Sequence, residues 1–141
     1  MKIKVFTIGR YSLKPARELI AEYIHRIGHY APLETFSFRS VEEAIQKLKR
    51  DDFLILLDER GKHFDSVEFA KWIEEKQNRS AKTVIFLLGP AEGFSGEAKA
   101  RADLLLSLSE MTLQHELALV VLMEQIYRAF TILKGEPYHK S

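Results

Sequence analysis

The sequence has no cysteine among its 141 residues. Disulfides, thiolate zinc sites, iron–sulfur clusters and cysteine nucleophiles are therefore excluded. Long apolar runs are also missing, since the longest one, Leu117 to Met123, is far too short to cross a membrane. The first ten residues lack the apolar stretch of a signal peptide. Together these absences predict a cytoplasmic protein with no membrane partner.

Charge of one sign is not in excess either. Twenty-one Lys and Arg residues stand against 20 Asp and Glu residues, which gives a formal net charge of +1. A domain that attracts nucleic acid by its overall field carries a much larger positive excess. Any contact with phosphate must therefore come from local basic clusters, or from their duplication in a dimer. The candidate basic residues are Arg10, Lys14, Arg17, Lys134 and Lys140.

What the sequence does have is a regular alternation of apolar runs and helical patterns. The apolar runs predict strands at residues 3–8, 33–38, 53–57, 83–88 and 104–108. Between them, apolar residues spaced by three and four predict helices. Ser40 followed by Glu43 has the capping-box pattern, and Asp65 with Glu68 indicates another helix start. This order is typical of a parallel sheet with flanking helices, so residues 1–141 are predicted to form one α/β domain.

The last predicted helix, residues 116–133, is apolar on nearly every side in its first two turns. A helix of this kind must be covered all round. We expect a homodimer that shares this helix, because so small a domain would enclose it with difficulty. The alternative is a central helix wrapped by its own chain. Glu124 and Arg128, one turn apart, either pair with each other or meet partners across the dimer.

Three segments at carboxyl ends of predicted strands are candidates for ligand binding, because parallel sheets bind ligands there. The first is the polar run of residues 58–62, which follows the third predicted strand. Gly89, Gly93 and Gly96 would let the backbone approach a ligand closely, although a tight turn is an equal alternative. The segment Leu108–Leu113 offers apolar side chains and free backbone groups, which suits a flat ligand such as adenine. Its alternative is a buried connector.

Other motifs are weaker. His25 and His29 have a zinc-helix spacing but lack a third ligand, so no metal is expected. Ser95 is better explained as a helix cap than as a nucleophile. The tail residues Tyr138 and His139 form either a frayed end or a base-stacking or proton-handling element.

Several of these segments together resemble a known family. The runs LGPAEGF (88–94), SLSEMTLQH (107–115), EQIYRA (124–129) and GEPYHK (135–140) look like the ribosomal RNA large subunit methyltransferase H family of the SPOUT superfamily. The resemblance implies a parallel α/β sheet with a C-terminal trefoil knot and a homodimer. It also implies methyl transfer from S-adenosylmethionine to N3 of a pseudouridine in 23S rRNA, on the assembled ribosome.

The resemblance also implies roles for individual residues. Together with the glycine loop, it predicts the cofactor-binding residues Leu57, Gly89, Gly93, Leu108, Ser109, Glu110, Met111, Thr112 and Leu113. Tyr138 and His139 would reach the target base in the partner's site. His139 is the first candidate for the base that removes the N3 proton, and Glu92 and His115 are the alternatives.

Two residues depart from the family pattern. Pro90 stands where many members have a second glycine, and Leu119 stands where many have an arginine. One alternative is therefore a catalytically impaired ribosome- or RNA-binding protein on the same scaffold. Another is an unrelated small nucleotide-binding α/β module, which the low net charge would suit.

Overall fold

The computed structural model describes residues 1–79 and 82–140 of the chain. In chain order the strands are β1 (Lys2–Ile8), β2 (Leu33–Phe38), β3 (Phe53–His63), β4 (Thr83–Leu88) and β5 (Leu104–Ser107). The helices between and after them are α1 (Lys14–Ile27), α2 (Val41–Gln46), α3 (Ser66–Asn78), α4 (Gly96–Arg101) and α5 (His115–Leu133).

The strands form one sheet with the order β2-β1-β4-β3-β5, and every pairing is parallel. The predicted parallel α/β architecture is therefore confirmed. Because β4 lies at the centre, it needs apolar side chains toward both faces. Val84 and Phe86 face the larger core, whereas Ile85 and Leu87 face the smaller one. Helices α1, α3 and α5 cover the larger core, and α2 and α4 cover the smaller one.

The two predicted helix starts differ in how completely they are capped. Asp65 and Glu68 form a full capping box, in which each side chain accepts a backbone N–H of the other residue. Ser40 accepts the N–H of Glu43 at 3.1 Å, but the Glu43 carboxylate accepts from Arg39 instead of from Ser40. The second capping box is thus only half formed.

Strand β3 is longer than predicted, because it continues to His63 through a bulged loop at residues 58–61. Both Leu57 and Lys62 are in register with Leu106 of β5, so residues 58–61 bulge out of this pairing. A Cβ on Gly61 would lie 2.6 Å from the backbone C and O of Leu105, so this close approach of the two backbones requires glycine. The pairings do not test how the chain is threaded, and the trefoil knot stays a prediction.

Helix α5 is covered by its own chain along much of its surface. It packs between α1 and α3, and Leu122, Met123 and Ile126 are fully buried. Leu119 is also buried, at 3% exposure, so the apolar residue at this position belongs to the core. Leu117 remains 52% exposed at the beginning of the helix. No helix that the structure describes is both long and apolar enough to span a membrane.

Candidate functional site

A cleft of about 730 Å³ lies at the carboxyl end of the sheet. Its walls come from the ends of β1, β3 and β4, from the segment after β5 and from the first residues of α5. Cavities of roughly 300–1,000 Å³ are typical of small-molecule sites. The cleft is lined by Ile8, Tyr11, Leu57, Asp58, Glu59, Arg60, Leu88, Gly89, Pro90, Ala91, Glu92, Gly93, Phe94, Leu108, Ser109, Met111, Thr112, Leu113, Gln114, His115 and Ala118.

The glycine loop after β4 forms one wall of the cleft. Gly93 has a φ of +85°, a conformation that favours glycine, and its N–H donates to the carbonyl of Pro90 at 3.0 Å. A Cβ on Gly89 would lie 2.5 Å from the Phe94 ring, so glycine lets that ring close against the backbone. Ser95 accepts the N–H of Ala98, which confirms its role as the cap of α4.

The segment after β5 forms a second wall. Ser109 organises it, since its hydroxyl accepts the N–H of Met111 at 3.0 Å and its carbonyl accepts from Ser107 at 3.0 Å. Thr112 donates to Glu59 at 2.7 Å and so links this segment to the loop of β3. Met111 is 77% exposed. The segment is therefore an open wall and not a buried connector.

The loop of β3 brings acidic side chains to the same region. Asp58 accepts the N–H of Arg60 at 2.9 Å, and Arg60 Nε lies 3.4 Å from the same carboxylate oxygen. These hydrogen bonds and charges outweigh burial and hold the pKa of Asp58 below its ordinary value. With Glu59 and Glu92 also in the lining, three acidic side chains lie on this side of the cleft.

The beginning of α5 is tied to the loop that follows β1. Glu116 is buried, and its carboxylate accepts the N–H groups of Ser12 at 3.0 Å and Leu13 at 2.8 Å. Burial alone would raise the pKa of Glu116, but these hydrogen bonds and the nearby His115 lower it overall. The loop between β1 and α1 is thereby fixed beside the cleft, with Tyr11 in the wall.

The C-terminal tail forms a separate polar cluster against the second half of α5. Glu124 accepts from Arg128 Nη2 at 2.6 Å and from the Tyr138 hydroxyl at 2.8 Å. Arg128 Nη1 lies 3.0 Å from His139 Nδ1, and Tyr30 donates to both oxygens of Glu136. Burial, followed by hydrogen bonds to Tyr23 and Glu124, raises the pKa of Tyr138 well above its ordinary range.

The geometry of the tail fixes the tautomer of one catalytic candidate. A guanidinium group can only donate, so His139 Nδ1 accepts from Arg128 and a neutral ring carries its proton on Nε2. Glu124, which accepts from Tyr138, lies six residues beyond Ala118, the last residue of α5 in the cleft lining, which is about 9 Å along the helix axis. In one chain the tail therefore lies outside the cleft lining.

The structure brings most of the predicted site residues together. All of the predicted cofactor residues line the cleft except Glu110, which is exposed with its carboxylate 3.9 Å from His63 Nε2. Glu92 and His115 also line it, whereas Tyr138 and His139 do not. Within residues 1–79 and 82–140, no cluster of three or more potential metal ligands occurs.

Sequence reasoning missed several residues of the cleft wall. Ile8 comes from the end of β1, Tyr11 from the loop after it and Ala118 from the first turn of α5. Gly9, with a φ of +83°, directly follows β1, just as Gly89 directly follows β4, and this similarity could have pointed to Tyr11. Asp58, Glu59 and Arg60, by contrast, belong to the candidate segment after the third predicted strand, and all three line the cleft.

This fold and cleft define a parallel α/β protein with a site of small-molecule size at the carboxyl end of its sheet. A family model described as predicted SPOUT methyltransferase matches residues 1–139, and the chain belongs to this family. The cofactor of the family is S-adenosylmethionine, as the resemblance implied. The unrelated nucleotide-binding module is thereby excluded.

Named relatives match over nearly the full chain. One from Geobacter sulfurreducens, called ribosomal RNA large subunit methyltransferase H, is 41% identical over 152 residues, covering 99% of each chain. One of the same name from Christiangramia forsetii is 39% identical over 155 residues, also covering 99% of each. A solved probable methylase family protein from Haemophilus influenzae has a TM-score of 0.61 at 13% identity, covering 99% of this chain and 70% of that one. This last likeness supports the fold alone.

Proposed function

We propose that this chain transfers a methyl group from S-adenosylmethionine to N3 of a pseudouridine in 23S rRNA, on the assembled ribosome in the cytoplasm. The observation that carries the proposal is the convergence of the predicted cofactor residues, from three separate strand ends, on one cleft. Relatives that match the whole chain bear the name of a large-subunit rRNA methyltransferase, which supports RNA as the substrate.

The residues of the cleft fit the cofactor. Leu57, Leu108 and Leu113 offer apolar walls for the adenine, and backbone groups of the two loops offer hydrogen bonds. Asp58, Glu59 and Glu92 suit a ligand with a net positive charge. When bound, S-adenosylmethionine supplies an electrophilic methyl group on a sulfonium.

The protein's part in the reaction is to orient the base and to remove a proton. The proton of N3 would pass to a basic side chain, and the electron pair left on N3 would form the new bond to the methyl carbon. The bond from that carbon to sulfur would break at the same time, with its electron pair remaining on sulfur as a neutral thioether. His139 is the proposed base, with Tyr138 beside it against the target. To accept the proton at Nδ1, His139 must exchange its hydrogen bond with Arg128 for one with the substrate. Such a base contributes about 10²–10⁴-fold.

The site is completed by a second copy of the chain. The cleft lies at the start of α5 and the tail cluster packs along its second half, from Glu124 onward, so the tail residues of one chain do not line its own cleft. An isologous dimer whose α5 helices run in opposite directions would set each tail at the partner's cleft. Leu117 and Leu13, both about half exposed near the start of α5, are apolar surface that such a partner would cover.

The test is methyl incorporation from labelled S-adenosylmethionine into ribosomes from a strain that lacks the modification. We expect incorporation into assembled ribosomes, at N3 of one pseudouridine, and weak activity on naked RNA because the chain has little net charge. Calorimetric titration with S-adenosylmethionine is the companion measurement. Cofactor binding without incorporation would favour the impaired binding protein, and no binding at millimolar cofactor would contradict the enzyme.

A further inference from the structure

Two aromatic rings line the end of the cleft next to β1, and neither belongs to a predicted cofactor-binding residue. The ring centroids of Tyr11 and His115 are 5.5 Å apart, with 51° between the planes, and both residues line the cleft. The side chain of His115 is 54% exposed, and Tyr11 is partly exposed. A flat ligand entering this end therefore meets ring surface.

The Tyr11 ring is held in place before any ligand binds. The two residues after it, Ser12 and Leu13, donate their backbone N–H groups to the buried Glu116 carboxylate. Tyr11 also packs against the main core, and burial raises its pKa to about 12, so its hydroxyl is neutral at physiological pH. A side chain that is already ordered loses little conformational entropy when a ligand stacks on it.

One side of the cleft is lined by acidic residues, and basic residues lie beyond the other side. On the β3 and β4 side lie Asp58, Glu59 and Glu92, and the cation Arg60 in that wall is 3.4 Å from Asp58. On the β1 side, the loop and first turn of α1 carry three exposed cations. These cations are Arg10, Lys14 and Arg17, and none of them forms an ion pair with a carboxylate within residues 1–79 and 82–140.

We propose that Tyr11 and His115 form the surface on which the target nucleobase stacks, and that Arg10, Lys14 and Arg17 bind the phosphates of the flanking nucleotides. This inference rests on the proposed function and names where the RNA enters. Proteins commonly recognise unpaired bases by stacking them on aromatic rings beside a basic groove. The acidic side of the cleft remains available for the cofactor, which carries a net positive charge.

The first test compares Tyr11→Leu, which keeps apolar volume but removes the ring, with Tyr11→Phe, which keeps the ring. We expect Tyr11→Leu to weaken binding of the large ribosomal subunit, measured without cofactor, by about 5- to 100-fold. Tyr11→Phe should bind like the unmodified chain. The Kd for S-adenosylmethionine and the thermal unfolding midpoint should stay unchanged in both.

Two results would overturn the stacking role. One is a Tyr11→Leu variant that binds the subunit like the unmodified chain. The other is a Kd for S-adenosylmethionine that rises by the same factor as the Kd for the subunit, because Tyr11 would then be a wall of the cofactor site. The binding assay involves no methyl transfer, so it tests the stacking role alone. Failure of the proposed reaction would be seen in a different assay, in which the unmodified chain would not incorporate methyl groups into ribosomes.

The second test addresses the phosphate contacts. Lys14→Gln with Arg17→Gln should weaken subunit binding and reduce the slope of log K against log salt by about 0.7 for each lost contact. Lys71→Gln, at an exposed lysine of α3 away from the cleft lining, is the matched control and should change neither quantity. An equal change in the control, or an unchanged slope in the double variant, would contradict the assignment.

Discussion

The two ends of α5 differ in how their polar side chains are used. At the cleft end, His115 is half exposed and the loop segments Gly89–Gly93 and Leu108–Leu113 surround an open space. At the tail end, Tyr138, Arg128 and His139 are occupied by hydrogen bonds within the same chain. One end has a cavity that fits a cofactor, and the other has the titratable groups proposed for catalysis. Under the proposed function, neither end of a single chain is a complete site.

The largest expected effect is at the tail. His139→Ala should lower the single-turnover rate of methyl transfer by about 10²–10⁴-fold at saturating cofactor, because the proposed base is lost. Calorimetry should give an unchanged Kd for S-adenosylmethionine, since His139 does not line the cleft of its own chain and its proposed role in the partner's site is toward the target base.

Glu92→Gln and His115→Gln serve as matched controls for that prediction, because both residues line the cleft and were the alternative bases. Their rates should fall less than that of His139→Ala. A His139→Ala variant with the full rate would contradict the assignment and return the role to one of these two residues.

A smaller effect is expected from the anchor at the cleft end. The folded pKa of Glu116 lies below its ordinary value of 4.5, so its carboxylate stabilises the fold above that pH. This contribution is lost as the pH falls through the folded pKa. Glu116→Gln should therefore unfold at lower urea than the unmodified chain at neutral pH, and the difference should shrink below pH 4.5.

Glu75→Gln is the control for the anchor, because Glu75 forms only an exposed pair with Arg79 at 3.1 Å. Exposed pairs contribute little, so its midpoint should barely move at either pH. A Glu116→Gln variant whose deficit is the same at acid and neutral pH would show that lost packing, and not the ionised carboxylate, is responsible.

Most of the fold could be predicted because its strands are short apolar runs. Residues 33–38 and 83–88 are strands with the predicted bounds, and the helices appear where the periodicity placed them. The return of β3 at Lys62 and His63 was missed, because it depends on pairing with β5 more than 40 residues later in the chain. Polar residues in such a loop carry no local signal of that pairing.

The site was predictable in part for the same reason. Gly89 and Leu108 follow strands, and a parallel sheet brings such positions to one edge. Tyr11 was missed because only the strand order, with β1 beside β4, places it in this wall. The tail was recognised from its residues, but its docking onto Tyr30 and α5 rests on polar contacts between segments 106 residues apart. An apolar pattern does not encode such contacts.

The central claim is that one chain's cleft works with the other chain's tail, and mixed dimers test it most directly. Chains carrying Gly89→Val, where a Cβ would strike the Phe94 ring, are paired with chains carrying His139→Ala by differential tagging. Each homodimer should be inactive. In the mixed dimer one of the two sites combines an intact cleft with an intact tail, so about half of the unmodified activity should return. A mixed dimer as inactive as both homodimers would contradict the claim.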